Sequence, residues 1–208
     1  LIEQVIYPTL KNNYYTGLND ASLLKVDGEI LFTTDTFVVD PPFFPGSDIG
    51  KLAVYGTCND LSVSGAKPKY LSLGFVLEED LSFVSLQRIL TSIAGAAEKA
   101  GVAIVTGDTK VVPKGKGGEI YINSAGIGEK IFPHRLSTDR IVPGDAVIIT
   151  STIGEHGIAV MAAREGLDVA ESLVSDCADL FPVCRTFFNR QQEVRFLRDA
   201  TRGGVSAV

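Results

Sequence analysis

The sequence predicts an α+β chain of mixed α/β character, and three observations carry that expectation. Tyr70–Leu77 and Val102–Val105 are runs of β-branched, aromatic and aliphatic residues of strand length. Between them, Phe83, Leu86, Leu90, Ile93 and Ala97 recur at the three- and four-residue spacing of an amphipathic helix. The chain has 208 residues and is 45% hydrophobic, so it can bury a core in one large domain or two small ones.

The elements follow in order. Leu1–Tyr15 is a weakly amphipathic opening. GEILFTTDTFVVD, Gly28–Asp40, reads as a strand, a polar break at Thr33–Thr36 and a second apolar run. The prolines and glycine of PPFFPGSD make a loop. The next stretch reads as a helix capped by Ser47 or Asp48, closed by Gly65 and followed by Pro68. Its residues Ile49, Leu52, Ala53 and Gly56 share one face, which suits close packing. Ser82 caps the clearest helix and Gly101 ends it. Pro113–Gly118, PKGKGG, reads as a basic, mobile hairpin loop, and Glu119–Gly128 as an alternating strand. After a turn at Pro143–Asp145, Ala146–Thr150 reads as a strand and IGEHGIAVMAAREG as a glycine turn into a helix. A last helix covers Ala178–Asn189. A boundary between Phe132 and Pro143 divides the chain into domains 1–135 and 136–208. The chain opens on Leu1 and stops after RDATRGGVSAV, which reads as a loop entering a helix, so we expect a piece of a longer protein.

Charge and composition exclude several classes. A net charge of −6 opposes a nucleic-acid groove or an anionic membrane surface as the main partner. No apolar run reaches the roughly 18 residues that span a bilayer. Cys58, Cys177 and Cys184 fit no CxxC pattern and no even disulfide framework, and read as reduced thiols in the core of a cytoplasmic protein.

The chemistry concentrates in isolated acids. Asp35 and Asp108 each follow an apolar strand run, while Asn59 and Asp60 lie in a helix among small residues. Asp20 and Asp199 are further single acids in polar loops. Mg²⁺ takes hard oxygen ligands, one or two carboxylates with phosphate oxygens and water, so scattered carboxylates at element ends suit a Mg²⁺–phosphate site. The same acids also suit turns and helix caps. The cluster Gly107-Asp108-Thr109-Lys110 places an acid, a hydroxyl and an amine together, and Lys110 can neutralise a phosphate or act as a general acid. No GxxxxGK[ST] and no GxGxxG occurs, so a nucleotide site would be of another kind. His156 in IGEHG reads as a hydrogen-bonding residue or a base, and Thr201–Gly204 as an anion site or a plain helix start.

TTDTFVVDPPFFPGSDIGKLAVYGTCNDLSVSGAKPKYLSLGFVLEE, AGVAIVTGDTKVV, INSAGIG, IGEHGIAV, SDCADL and LRDATRGG occur in this order over nearly the whole chain. Together they resemble the HypE family of hydrogenase maturation proteins. That family lies in the superfamily of aminoimidazole ribonucleotide synthetase, selenophosphate synthetase and thiamine-monophosphate kinase. The resemblance implies a PurM-like two-domain fold, with the N-terminal sheets of a homodimer forming a barrel and the C-terminal α/β domain incomplete here. It implies ATP-dependent dehydration of a carbamoylated C-terminal cysteine to a thiocyanate. HypF would supply the carbamoyl group, and the HypC–HypD complex would receive the cyanide for a [NiFe] centre. It implies ATP and Mg²⁺ as cofactors, with Asp35, Asp60 and Asp108 on the metal, Asn59, Gly107 and Thr109 at the nucleotide, and Lys110 near the phosphates or the carboxamide. Ala200 stands where the family favours Pro and Glu155 where it favours Asp. The C-terminal cysteine is not within these 208 residues, so this stretch alone is expected to be inactive.

Overall fold

The computed structural model describes residues 1–14, 21–115, 118–167, 172–190, 194–201 and 203–207. Asp20, Lys116, Gly117 and Arg202 lie outside them, and so do the readings made for them. A short π-type turn, Ile2–Ile6, leads into α1, Tyr7–Leu10. The elements that follow are β1 (Ile30–Phe37), β2 (Phe43–Phe44), β3 (Ser47–Asp48), α2 (Ile49–Val63), β4 (Ala66–Glu78) and α3 (Phe83–Ala100). Next come β5 (Ala103–Val112), β6 (Ile120–Lys130), α4 (Glu155–Glu165) and α5 (Phe181–Phe188).

The two helix starts form where the cap chemistry demands. Asp48 Oδ1 accepts from the backbone N–H of Gly50 at 2.8 Å and of Lys51 at 3.1 Å, and its Oδ2 accepts from Ser92 Oγ at 2.6 Å. One carboxylate therefore caps α2 and ties it to α3; a cap of this kind stabilises by about 1 kcal/mol. Ser82 Oγ caps α3 through Ser85 N–H, and Gly101 ends it at φ +66°. The two helices approach closely at Gly50, where a Cβ would stand 2.8 Å from the carbonyl oxygen of Ile89.

β1, β6, β4 and β5 form a four-stranded sheet in that order. β4 and β5 run parallel because the long α3 connects them, while β6 is antiparallel to both β4 and β1. One sheet face carries Leu71, Leu73, Phe75, Leu77, Ile120 and Ile122, all buried against Ile49, Ala53, Ile89, Leu90 and Ile93 of the helices. Fully burying each such side chain contributes about 1.5–3 kcal/mol before entropy is counted. Among the described residues no helix covers the other face: Phe32 is 66% exposed there, and Thr34, Thr36 and Asn123 are exposed beside it. A smaller cluster of Val63, Phe132, Cys184, Phe188 and Val194 seats α5 against the end of α2.

Four expectations change. Thr33–Thr36 is no break but the middle of β1, since threonine is β-branched and the residues alternate between the faces. Gly107–Lys110 does not follow a strand but lies within β5, which runs on to Val112. β5 and β6 do not pair with one another as a hairpin, because β4 lies between them in the sheet. Ala146–Thr150 forms no strand: Val147 is 88% exposed, and a strand needs a neighbour to satisfy its backbone. The amphipathic reading of α3 holds for Leu86, Leu90, Ile93 and Ala97, but Phe83 is exposed. No helix of the described residues is long and apolar enough to cross a membrane.

Candidate functional site

The acids of TTDTF and CND meet on one seam. α2 lies over β1 so closely that a Cβ at Gly56 would stand 2.7 Å from the Phe37 ring and push the ring aside. One turn further along α2, Thr33 Oγ1 of β1 donates to Asp60 Oδ2 at 3.1 Å. Asp35 is two residues beyond Thr33 on the same face of β1, about 7 Å along the strand. Its register partner on β6 is Ser124. Ser124 Oγ and the nearby Thr57 Oγ1 of α2 are buried without a hydrogen-bond partner among the described residues. An unpaired buried hydroxyl costs about 1–3 kcal/mol. The seam thus gathers two half-buried carboxylates with hydroxyl oxygens, all hard donors, and this set fits Mg²⁺ in kind.

Asp108 stands elsewhere. It pairs with Gly74 in register, and Gly74 with Asn123, which in turn faces Thr36, so Asp108 belongs to the helix-free face. Asp35 sits in the row of Ser124, Leu73 and Gly107 and belongs to the opposite face. β1 and β5 are the two outer strands. Three strand spacings separate them, about 14 Å. Among the described residues no group of three or more His, Cys, Asp or Glu could hold a metal ion. One chain therefore brings Asp35 and Asp60 to a common seam and leaves Asp108 apart.

On β5, Lys110 Nζ lies 3.0 Å and 3.2 Å from the two carboxylate oxygens of Asp108, and Thr109 N–H donates to Oδ1 at 2.8 Å. The lysine first, and then the amide, hold the Asp108 carboxyl below the usual range, so it stays ionised at neutral pH. Gly107 is required by packing: a Cβ there would stand 2.4 Å from the Leu73 carbonyl oxygen. Asn59, buried to 8% exposure, turns to the chain's own backbone: its Nδ2 donates to Ala178 O at 3.0 Å and its Oδ1 accepts from Leu180 N–H at 2.9 Å.

The remaining candidates are structural in their contacts. His156 Nδ1 is 3.0 Å from Ser175 Oγ, and its ring meets Phe44 edge-on. Burial, with the Asp179 carboxylate adding, pushes Cys58 up to about 12 and Cys184 up to about 11; burial also raises Cys177. Thiols held protonated in this way are poor nucleophiles. A groove of about 530 Å³ lined by Val5, Phe83, Val84, Gln87, Arg88 and Thr91 lies on the α3 side and includes none of the acids. Sequence reasoning missed Thr33 as the partner of Asp60, having read it as a break. It also missed Asn123, whose signal was an asparagine in the middle of an alternating strand, where that residue is depleted.

The model for the AIR synthase related protein, N-terminal domain, matches residues 18–129, and that for the C-terminal domain matches residues 142–208. Carbamoyl dehydratase HypE of Rhizobium leguminosarum bv. viciae is 44% identical over 209 residues, covering 100% of this chain and 60% of that protein. A crystal structure of hydrogenase maturation protein HypE in complex with ATP is similar at TM-score 0.96 and 45% identity, over 100% of this chain and 62% of that one. A crystal structure of a HypE–HypF complex is similar at TM-score 0.83 and 47% identity, over 100% of this chain and 67% of that one. The chain spans about 60% of the length of the curated relatives it matches.

Proposed function

This chain belongs to the AIR synthase related family, and from that premise we propose that it serves, within its whole protein, as an ATP-dependent carbamoyl dehydratase of hydrogenase maturation. The observation that carries the reading is the β1–α2 seam, where Thr33 holds the Asp60 carboxylate and Asp35 follows on the same face. The similarity to HypE in complex with ATP supports nucleotide binding.

The proposed roles follow from the chemistry of each side chain. Asp35 and Asp60 hold Mg²⁺, and ATP supplies the phosphoryl group that makes the carboxamide oxygen a leaving group. Lys110 would release Asp108, the third acid read as a Mg²⁺ ligand, to the metal at the phosphates, and its ammonium neutralises charge that develops on them. The S-carbamoyl group loses its oxygen and both amide protons and becomes a thiocyanate. Asp108 lies too far from the seam to join it within one chain, so a second copy of the chain completes the site. The same reading divides the chain at residues 135 and 136. It takes HypF as carbamoyl donor, in line with the HypE–HypF complex, and a HypC–HypD complex as acceptor.

Intact-mass measurement on the full-length protein tests this reading. After incubation with carbamoyl phosphate, HypF and Mg·ATP, a carbamoyl adduct should appear and then lose one water. ATP hydrolysis without any adduct would replace this reading with that of another ATP-using enzyme of the superfamily, a kinase or a synthetase.

A further inference from the structure

Asn123 stands in the middle of β6, on the helix-free face, directly across from Thr36. Its Nδ2 donates to the backbone oxygen of Asp35 at 3.0 Å, to Thr36 Oγ1 at 3.0 Å and, more weakly, toward Thr34 Oγ1 at 3.4 Å. Thr34 Oγ1 in turn donates to the Ser124 carbonyl at 3.1 Å. A row of side-chain bonds thus reinforces the β1–β6 ladder at the residue that carries the predicted metal ligand.

The location makes this more than surface decoration. Among the described residues β1 is an outer strand whose neighbour in the sheet is β6, so β6 fixes its position laterally. Asp35 points to the helix side, and its carbonyl oxygen is gripped from β6 by Asn123. A donor on that oxygen holds the Asp35–Thr36 peptide plane, and with it the direction of the Asp35 Cα–Cβ bond. Ligands that must stay within about 0.5 Å of their working geometry depend on such supporting bonds. Asparagine is an unfavourable choice for a strand interior, and a threonine or valine would suit the sheet better. The amide is the feature those residues lack.

We propose that Asn123 is a positioning residue that sets the Asp35 carboxylate for Mg²⁺. This rests on the reading of Asp35 as a ligand. The test uses the full-length protein and three variants, Asn123→Ala, Asn123→Thr and Asp35→Asn. ATP binding is followed calorimetrically across a series of Mg²⁺ concentrations and again in EDTA, with Tm as the check on folding. Loss of a supporting bond lowers metal affinity by about tenfold or more. Both Asn123 variants should therefore need about tenfold more Mg²⁺ for half-saturation. Their metal-free ATP affinity should stay that of the parent. The threonine keeps strand propensity, so it reads the lost amide even if the alanine weakens the sheet. If Asp35→Asn loses the Mg²⁺ dependence while both Asn123 variants keep it, Asn123 is a sheet contact only and the inference falls. If Asp35→Asn itself leaves the Mg²⁺ dependence unchanged, the metal reading of Asp35 falls too, and both are overturned.

Discussion

Removing the Asn59 side chain distinguishes a backbone clamp from a nucleotide ligand. Asn59 makes two bonds to the segment that enters α5, one to Ala178 O and one from Leu180 N–H. Each such bond contributes about 0.5–1.5 kcal/mol net, so Asn59→Ala should cost about 2 kcal/mol in all. Both partners are only partly buried, and water can replace some of what is lost. In a chain of this size that loss lowers Tm by about 4–8 °C. The damage should concentrate where the clamp acts, because segments open locally with their own free energies. Hydrogen exchange of the Leu180 amide should speed up about thirtyfold, as 2 kcal/mol implies. Exchange in the middle of β4 should change little. Asn59→Asp gives a second reading: it still accepts from Leu180 N–H but sets a carboxylate against the Ala178 carbonyl. Unchanged Leu180 exchange and unchanged Tm in both variants would refute the clamp. If ATP affinity then fell, Asn59 would be the ligand that the family resemblance implies.

Gly107→Ala places a Cβ 2.4 Å from the Leu73 carbonyl oxygen, a backbone atom that cannot step aside. The β4–β5 pairing should lose about 1–3 kcal/mol, read as a shift of the urea midpoint; an unchanged midpoint would show that the strands part without penalty. Burial raises the Asp179 carboxyl above its ordinary value, so folding favours its neutral form. Its contribution to stability is present below the ordinary Asp range and is lost as pH rises through the raised folded value. Asp179→Asn, which keeps an oxygen for the Phe181 amide, should be more stable than the parent at pH 7, with the difference vanishing near pH 3. A pH-independent difference would place the effect elsewhere.

The helices were legible because their signals are local. Asp48, Ser82 and Gly101 sit within a turn of the backbone groups they satisfy, and the face of Leu86, Leu90 and Ile93 repeats within α3 itself. The strands were legible as apolar runs but not in their extent. Thr33–Thr36 and Gly107–Lys110 look polar in isolation, yet they lie inside β1 and β5 because neighbouring strands complete their hydrogen bonds. Ala146–Thr150 failed the other way: it has the composition of a strand and no neighbour among the described residues to pair with. The candidate acids were legible as types. Their grouping was not, since it depends on which sheet face each residue takes.

The fold class, the two capped helices, the family likeness and the identity of the acids are all local properties of the chain, because composition, spacing and cap chemistry act over a few residues. Long-range packing sets Thr33 on Asp60, Asn59 on the backbone of 178–180, and Asp35 and Asp108 on opposite faces of the sheet. The physical reason is register. Side chains alternate with a period of two, so the partner strand and the phase of its pairing assign every residue to a face.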